Sequence, residues 1–452
     1  MMKRRAMLAL VLCLCGLQGQ AAQPLQACPG PWPGDQPLSL SRAVAMALCA
    51  DPELQAAWRT ELSSQASMEA ERSAYWPTLQ GQANTGRANR KTRYDGFPEA
   101  NSSLDARTSG YGLSLNWVLY DFGLRDARVE SARQLLNAAS SSRVEKIQQV
   151  VLGTSKAFYQ VQASSALLEA RRSIEALAAD SLRVTTAKHQ AGAGERADRL
   201  QAQTTFEQAQ LERVLAEGDL AIAHGALASA LNLSPSAPLR LEALDEPQGQ
   251  EARFMQSVDA LMEQARQTHP SVDSARAQWA SSLAKAEAER AQGRPTISLY
   301  SDYRHEDTPV EQVASRQQIE TWTVGVQVSV PIFDGFLARR RARAAEAEAA
   351  AREQDLYGAQ RAIALSVWRS RQSLEARTQA LVISRRLVAS AQQSHRVALG
   401  RYKAGVGSII ELLNAQNDLA SAQQRRVASV VDWYTARLQL AADLGQLDGR
   451  EY

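Results

Sequence analysis

Few residues in this chain have types and spacing that could do chemistry. The five histidines, at 189, 224, 269, 305 and 395, show no ligand spacing, so no metal centre is expected. Asp121-Phe122-Gly123 imitates a kinase motif, but the other kinase elements are missing. The pairs Gly192/Gly194 and Gly405/Gly407 lack a preceding strand and a complete phosphate fingerprint. They read better as helix-to-helix turns. No serine or cysteine stands in a recognisable nucleophile context. The expectation is a protein with no enzymatic activity, no cofactor and no metal, driven by energy from a partner.

Composition narrows the class. The chain has 452 residues, 45% hydrophobic and 22% charged, which excludes a long disordered chain. The net charge is +3, and Lys3, Arg4 and Arg5 are the only charges before Asp35. Without them the chain is neutral, with no electrostatic reason to bind nucleic acid. Those three cations, the apolar run Ala6 to Gly16 and small residues at Gln20-Ala21-Ala22 read as a signal peptide over 1–22. A buried N-terminal helix is the alternative. Removal would leave Cys28 and Cys49, which an oxidising compartment would pair, the alternative being two free buried thiols. Leu25-Gln26-Ala27-Cys28 looks like a lipoprotein box but stands well past the apolar run, so no lipidation is expected. No later segment supplies the roughly 18 uncharged apolar residues of a membrane helix.

Proline marks the elements that hold these turns. Two stretches, 99–234 and 332–452, have none and are rich in helix-favouring Ala, Gln, Glu, Arg and Leu. Pro235, Pro238 and Pro247 mark a polar linker, placed at 232–256, between halves 23–231 and 257–452. The halves repeat. Pro52, Pro77 and Ala70-Glu71-Arg72 answer Pro270, Pro295 and Ala288-Glu289-Arg290 at a constant offset of 218. Asp121 and Ala191-Gly192-Ala193-Gly194 answer Asp334 and Ala404-Gly405-Val406-Gly407 at an offset of 213. A colinear series of this kind indicates internal duplication. Each half predicts a helix up to Pro77 or Pro295, two strands, a long helix, the glycine turn and a further helix. The long helices, over about 123–190 and 336–403, would each span roughly 100 Å. Such lengths suggest coiled helices.

The strands alternate. Tyr111, Leu113, Leu115, Trp117 and Leu119 share one face, against Gly112, Ser114 and Asn116. Trp322, Val324, Val326, Val328, Val330 and Ile332 do the same over 322–332, and 296–303 and 78–85 follow more weakly. Segments 86–109 and 304–320 read as polar loops. Alternation over about ten residues fits a transmembrane β-strand with a polar lumen face. Four strands cannot close a membrane barrel, and open edges are not tolerated in lipid. A homotrimer would supply 12 strands.

Several junctions carry a family likeness. Leu38-Ser39-Leu40-Ser41-Arg42-Ala43-Val44 opens the first helix, and Tyr75-Trp76-Pro77-Thr78-Leu79 and Gly293-Arg294-Pro295-Thr296-Ile297 join helix to strand. Val330-Pro331-Ile332-Phe333-Asp334-Gly335 and Leu119-Tyr120-Asp121-Phe122-Gly123 join strand to helix. Arg401-Tyr402-Lys403-Ala404-Gly405 precedes Glu411-Leu412-Leu413-Asn414-Ala415-Gln416 at a turn. Together they resemble the outer-membrane efflux protein family, the TolC-like outer membrane factors, over about 38–446. The resemblance implies a mainly α chain with a shared trimeric 12-stranded transmembrane β-barrel and a long α-helical tunnel through the periplasm. It implies docking to a periplasmic adaptor (membrane fusion) protein and an inner-membrane transporter. It also implies a tip constriction in which Asp198 and Glu411 take acidic positions. Tyr402 matches a gate tyrosine, with His189 in its first-half place. Asn414 replaces a second acid, and Gly407 stands where a gate arginine can occur. The turns at Gly192, Gly194, Gly405 and Gly407 are the expected adaptor-docking points.

The leading expectation is an exit duct in outer-membrane lipid, extending into the periplasm. The tail after Leu447, the unlipidated start and the Cys28/Cys49 pair resemble secretion-type members. They favour protein export with an inner-membrane ABC transporter. Drug or metal efflux with a proton-driven pump is the second reading, and a poreless periplasmic helical scaffold the third.

Overall fold

The computed structural model describes residues 36–242, 258–309 and 316–447. The expected signal peptide, Cys28, most of the linker and the last five residues lie outside them. The first repeat runs α1 (Leu40–Ala50), α2 (Pro52–Ser73), β1 (Thr78–Thr92), β2 (Ser102–Tyr120), α3 (Leu124–Gln190) and α4 (Arg196–Ala230). The second runs α5 (Val258–Thr268), α6 (Pro270–Ala291), β3 (Thr296–Pro309), β4 (Arg316–Ser329), α7 (Leu337–Lys403) and α8 (Ile409–Asp443). The order within each repeat is the same.

Local chemistry sets the helix ends. Ser39 caps α1 through Arg42 N, and Asp51 caps α2 through Leu54 N at 2.7 Å, with Pro52 opening the helix. Both long helices have 67 residues, roughly 100 Å. Their buried stripes are built largely from alanine and serine, such as Ala127, Ala132, Ala138 and Ser155 on α3 and Ala342, Ala345 and Ala349 on α7. Small side chains let neighbouring helices approach closely. A larger apolar core forms mid-tunnel, where Val44, Val151, Phe158, Leu227, Leu239 and Leu438 meet. The start of the linker belongs to this core. Leu38 N donates to Arg240 O at 2.7 Å and Glu242 N to Leu38 O at 3.1 Å, tying Leu239 and Leu241 down. The expected polar tether is therefore docked over 232–242, because its leucines bury.

The strands form one curled antiparallel sheet in the order β1-β2-β3-β4. The β2–β3 ladder joins the two repeats. The strands are longer than alternation predicts. β1 pairs with β2 up to Thr92↔Ser102, and β3 with β4 up to Pro309↔Arg316, so most of the expected loops 86–109 and 304–320 is ladder. Main-chain hydrogen bonds continue where the apolar row stops, and Arg87 pairs with Asp105 at 2.7 Å across that polar extension. The apolar rows stay exposed: Leu113 and Trp117 on β2, Trp322, Val324, Val326 and Val328 on β4. Among the described residues, no helix is long and apolar enough to cross a membrane.

Between sheet and tunnel, Arg125 gathers the chain. Its guanidinium donates to Asp121 Oδ2 at 2.9 Å and to the carbonyls of Val118 at 2.7 Å, Ala74 at 3.2 Å and Leu119 at 3.3 Å. It also lies over the Tyr75 ring at 4.6 Å. One buried cation thus holds the end of α2, the end of β2 and the start of α3. In the second repeat, Arg294 reaches across to Phe122 O at 2.7 Å and to Glu287.

Candidate channel tip

The two glycine turns close the far ends of the long helices. Gly192 and Gly405 take left-handed φ values of +72° and +80°, which a side chain disfavours. Ala193 N bonds back to Lys188 O at 2.9 Å, and Val406 N to Arg401 O at 3.1 Å, ending the helices in the same way. A Cβ on Gly194 would stand 3.0 Å from Lys188 Cβ, and one on Gly407 3.0 Å from Arg401 Cβ. Both Gly-x-Gly pairs are needed for a tight reversal.

The turns differ in their next step. Ser408 caps α8 and accepts from Glu411 N at 3.1 Å. Glu195 in the equivalent place makes no side-chain cap. Glu411 also meets Arg401 at 3.4 Å, and both side chains remain about half exposed. Val406 and Ile410 project from this turn at 71% and 58% exposure, while Ala193 and Ala197 take their places in the first repeat.

Tyr402 lies at the centre. It is buried against Ile409, Leu412 and Leu413. Lys188, from α3, donates to Tyr402 O at 2.8 Å and sits 4.1 Å from its ring centroid. Burial pushes the Tyr402 hydroxyl above its ordinary range, and the Asp198 carboxylate adds to that. The fold therefore brings Asp198 and Tyr402 together across the repeats, with Glu411 at the edge of the same turn. Asn414 is exposed on the first turns of α8. Asp198 and Glu411 are both partly exposed.

Three contributors were not legible in the sequence. Lys188 clasps α3 to α7. Gln416 clasps α8 to α3, donating to Ser181 Oγ at 2.6 Å and Leu177 O at 3.3 Å. His395 is buried beside a small cavity that it lines together with Gln416, Ser181 and Tyr402, and burial holds its imidazole below the ordinary range. The partners of Lys188 and Gln416 lie more than two hundred residues away, so spacing carries no trace of them. Cys49 lies in the last turn of α1 and is disulfide-bonded.

Helices of 67 residues, a sheet with an exposed apolar face and tight glycine turns at the far end are the parts of a channel that spans a membrane and projects from it. Residues 43–233 and 261–446 match the family model for the outer membrane efflux protein, and the chain belongs to that family. It is 30% identical to Protein CyaE of Bordetella pertussis over 95% of this chain and 89% of that one. It is 24% identical to the outer membrane protein TolC of Vibrio cholerae, covering 79% of this chain and 80% of that one. The solved structure of VceC from Vibrio cholerae superposes with a TM-score of 0.77 at 16% identity, over 90% of this chain and 96% of that one. The protein is an outer-membrane channel that extends into the periplasm. TolC-like channels are trimers, so three four-stranded sheets supply the 12 strands of a shared barrel. The family consists of channels rather than enzymes.

Proposed function

We propose that this channel is the exit duct of a type I secretion system, passing a protein from an inner-membrane ABC transporter and a periplasmic adaptor to the outside. The observation that carries this reading is the near full-length likeness to CyaE. Type I secretion is the cargo route that likeness supports. Tripartite assembly is the coarser property of the family. Val406 and Ile410 support adaptor docking at Gly405 and Gly407, because exposed apolar residues at a helix turn suit a protein partner. The smaller turn at Gly192 and Gly194 would seat a second, weaker contact. Asp198 and Glu411 would form the constriction, in three copies each, with Tyr402 and Asn414 beside them. The Cys28–Cys49 pair is part of the same proposal.

The test is a chromosomal deletion complemented by the wild-type gene. Culture supernatants are compared by mass spectrometry, and dye or solvent tolerance is measured on the same strains. Loss of one or a few large secreted proteins, with tolerance unchanged, is the expected result. Lost tolerance with an unchanged secretome would transfer the protein to the efflux reading.

A further inference from the structure

We propose that the start of α7 binds anionic phospholipid headgroups of the membrane leaflet that faces the periplasm. This rests on the outer-membrane placement of the channel. Arg339 and Arg343, one turn apart, share a face of α7 directly below the barrel, and Phe336 stands just before the helix as its N-cap. All three are exposed. Arg339 and Arg343 make no ion pair or side-chain hydrogen bond among the described residues. The nearest acids on α7 are already engaged: Glu346 with Arg290, and Glu348 with Lys285. Asp334 is spent capping α7 through Leu337 N and Ala338 N.

The first repeat acts as an internal control. There the equivalent face carries Gly123, Asp126 and Glu130. The fold itself therefore does not call for two cations on this face, whereas a phenylalanine, Phe122, stands at the turn in the first repeat as well. Asp126 is exposed and Glu130 half-exposed although α3 packs against both α2 and α6. By that equivalence, Arg339 and Arg343 stay open when a second copy covers the flank of α7. Arg340, in contrast, takes the place of buried Ala127.

One feature works against a purely structural role. Cations in the first turns of a helix oppose its dipole, and α7 has no acid in its first turn. Phe336 holds a left-handed φ of +65°, as Phe122 does at +53° in the first repeat, so that conformation belongs to the strand-to-helix turn itself. An interface that takes cations just beneath the headgroups, beside an aromatic ring, compensates that dipole cost. The geometry also fits. Helical Cβ atoms tilt toward the N-terminus, so both arginines reach back toward the barrel. Phe336 packs edge-on against Phe333 at 5.6 Å, and that ring adjoins exposed Ile332 at the end of the lipid-facing row.

The experiment uses the full-length protein in detergent and native mass spectrometry, with phosphatidylglycerol and phosphatidylcholine of equal chain length as probes. Wild type should prefer phosphatidylglycerol, and Arg339→Gln/Arg343→Gln should lose that preference by roughly fivefold per arginine. Arg339→Lys/Arg343→Lys should retain most of it. Trimer mass and bilayer conductance are recorded on the same samples, so failure of the channel itself is seen separately. Equal preference in wild type and the glutamine variant would overturn the proposal. So would an unchanged lipid preference with a shifted reversal potential, which would put the arginines in the lumen.

Discussion

Replacing Arg125 by methionine tests how the barrel is fixed to the tunnel. The substitution removes the donor to Asp121 and to three carbonyls, from Ala74, Val118 and Leu119. It leaves the Asp121 carboxylate buried, at 6% exposure, without its cation. Removing one partner of a buried ion pair costs about 3–5 kcal/mol. Asp121 keeps backbone N–H groups from Gly123 and Arg125, at 3.3 and 3.0 Å, which places the loss near the lower end, about 3 kcal/mol. The unfolding entropy of a chain this long is on the order of 1 kcal/mol/K. The thermal midpoint should then fall by about 3 °C. Trp117 reports on the same junction, because its indole donates to Tyr75 O at 2.9 Å. Tryptophan fluorescence and far-UV circular dichroism, followed during heating in detergent, should therefore shift together. Asp121→Asn/Arg125→Met removes the stranded charge and should recover at least a third of the loss. A midpoint equal to wild type for Arg125→Met would refute the reasoning. A double variant no better than the single one would refute the stranded-charge part of it.

Other consequences follow from the tip and the sheet. Gly405→Ala forces a side chain into a left-handed turn and should cost about 1–2 kcal/mol locally, read as faster hydrogen exchange over 399–409 with the mid-tunnel unchanged. Lys188→Ala should free α3 from Tyr402 O and raise single-channel conductance, whereas unchanged steps would mean the clasp does not restrict the tip. Burial depresses the His395 pKa, so between the folded and unfolded values the unfolded chain binds more protons. The stability this histidine contributes is present above its unfolded pKa and is lost as pH falls through the lowered folded value. His395→Leu should flatten that acid-side decline in a melting series from pH 7 to pH 4. Val326→Arg places a cation in the lipid-facing row and should cost about 2–4 kcal/mol near the membrane midplane, seen as loss of trimer from the membrane fraction.

What the sequence could show was set by which interactions are local. The long helices end within about a residue of their expected bounds, because proline and the Gly-x-Gly pairs act where they stand. The lipid-facing rows were legible as alternation, since burial on one side imposes a period of two. Strand length was not, because main-chain pairing carries no side-chain code beyond the apolar row. The acidic positions Asp198 and Glu411 came from family likeness and repeat symmetry, and the structure adds their neighbours Tyr402 and Arg401. Arg125 looked like one of many arginines on a polar helix. Its role depends on carbonyls 51, 7 and 6 residues away, which meet only once the sheet has formed.

The central claim is a membrane-spanning duct narrowed at its tip by acidic side chains. It is tested most directly by planar-bilayer recording of the purified mature protein across a salt gradient. Wild type should give small, steady, cation-preferring steps, and Asp198→Asn/Glu411→Gln should move the reversal potential toward zero. Silence from both proteins would contradict a pore, and an unchanged reversal potential in the variant would contradict the acidic constriction.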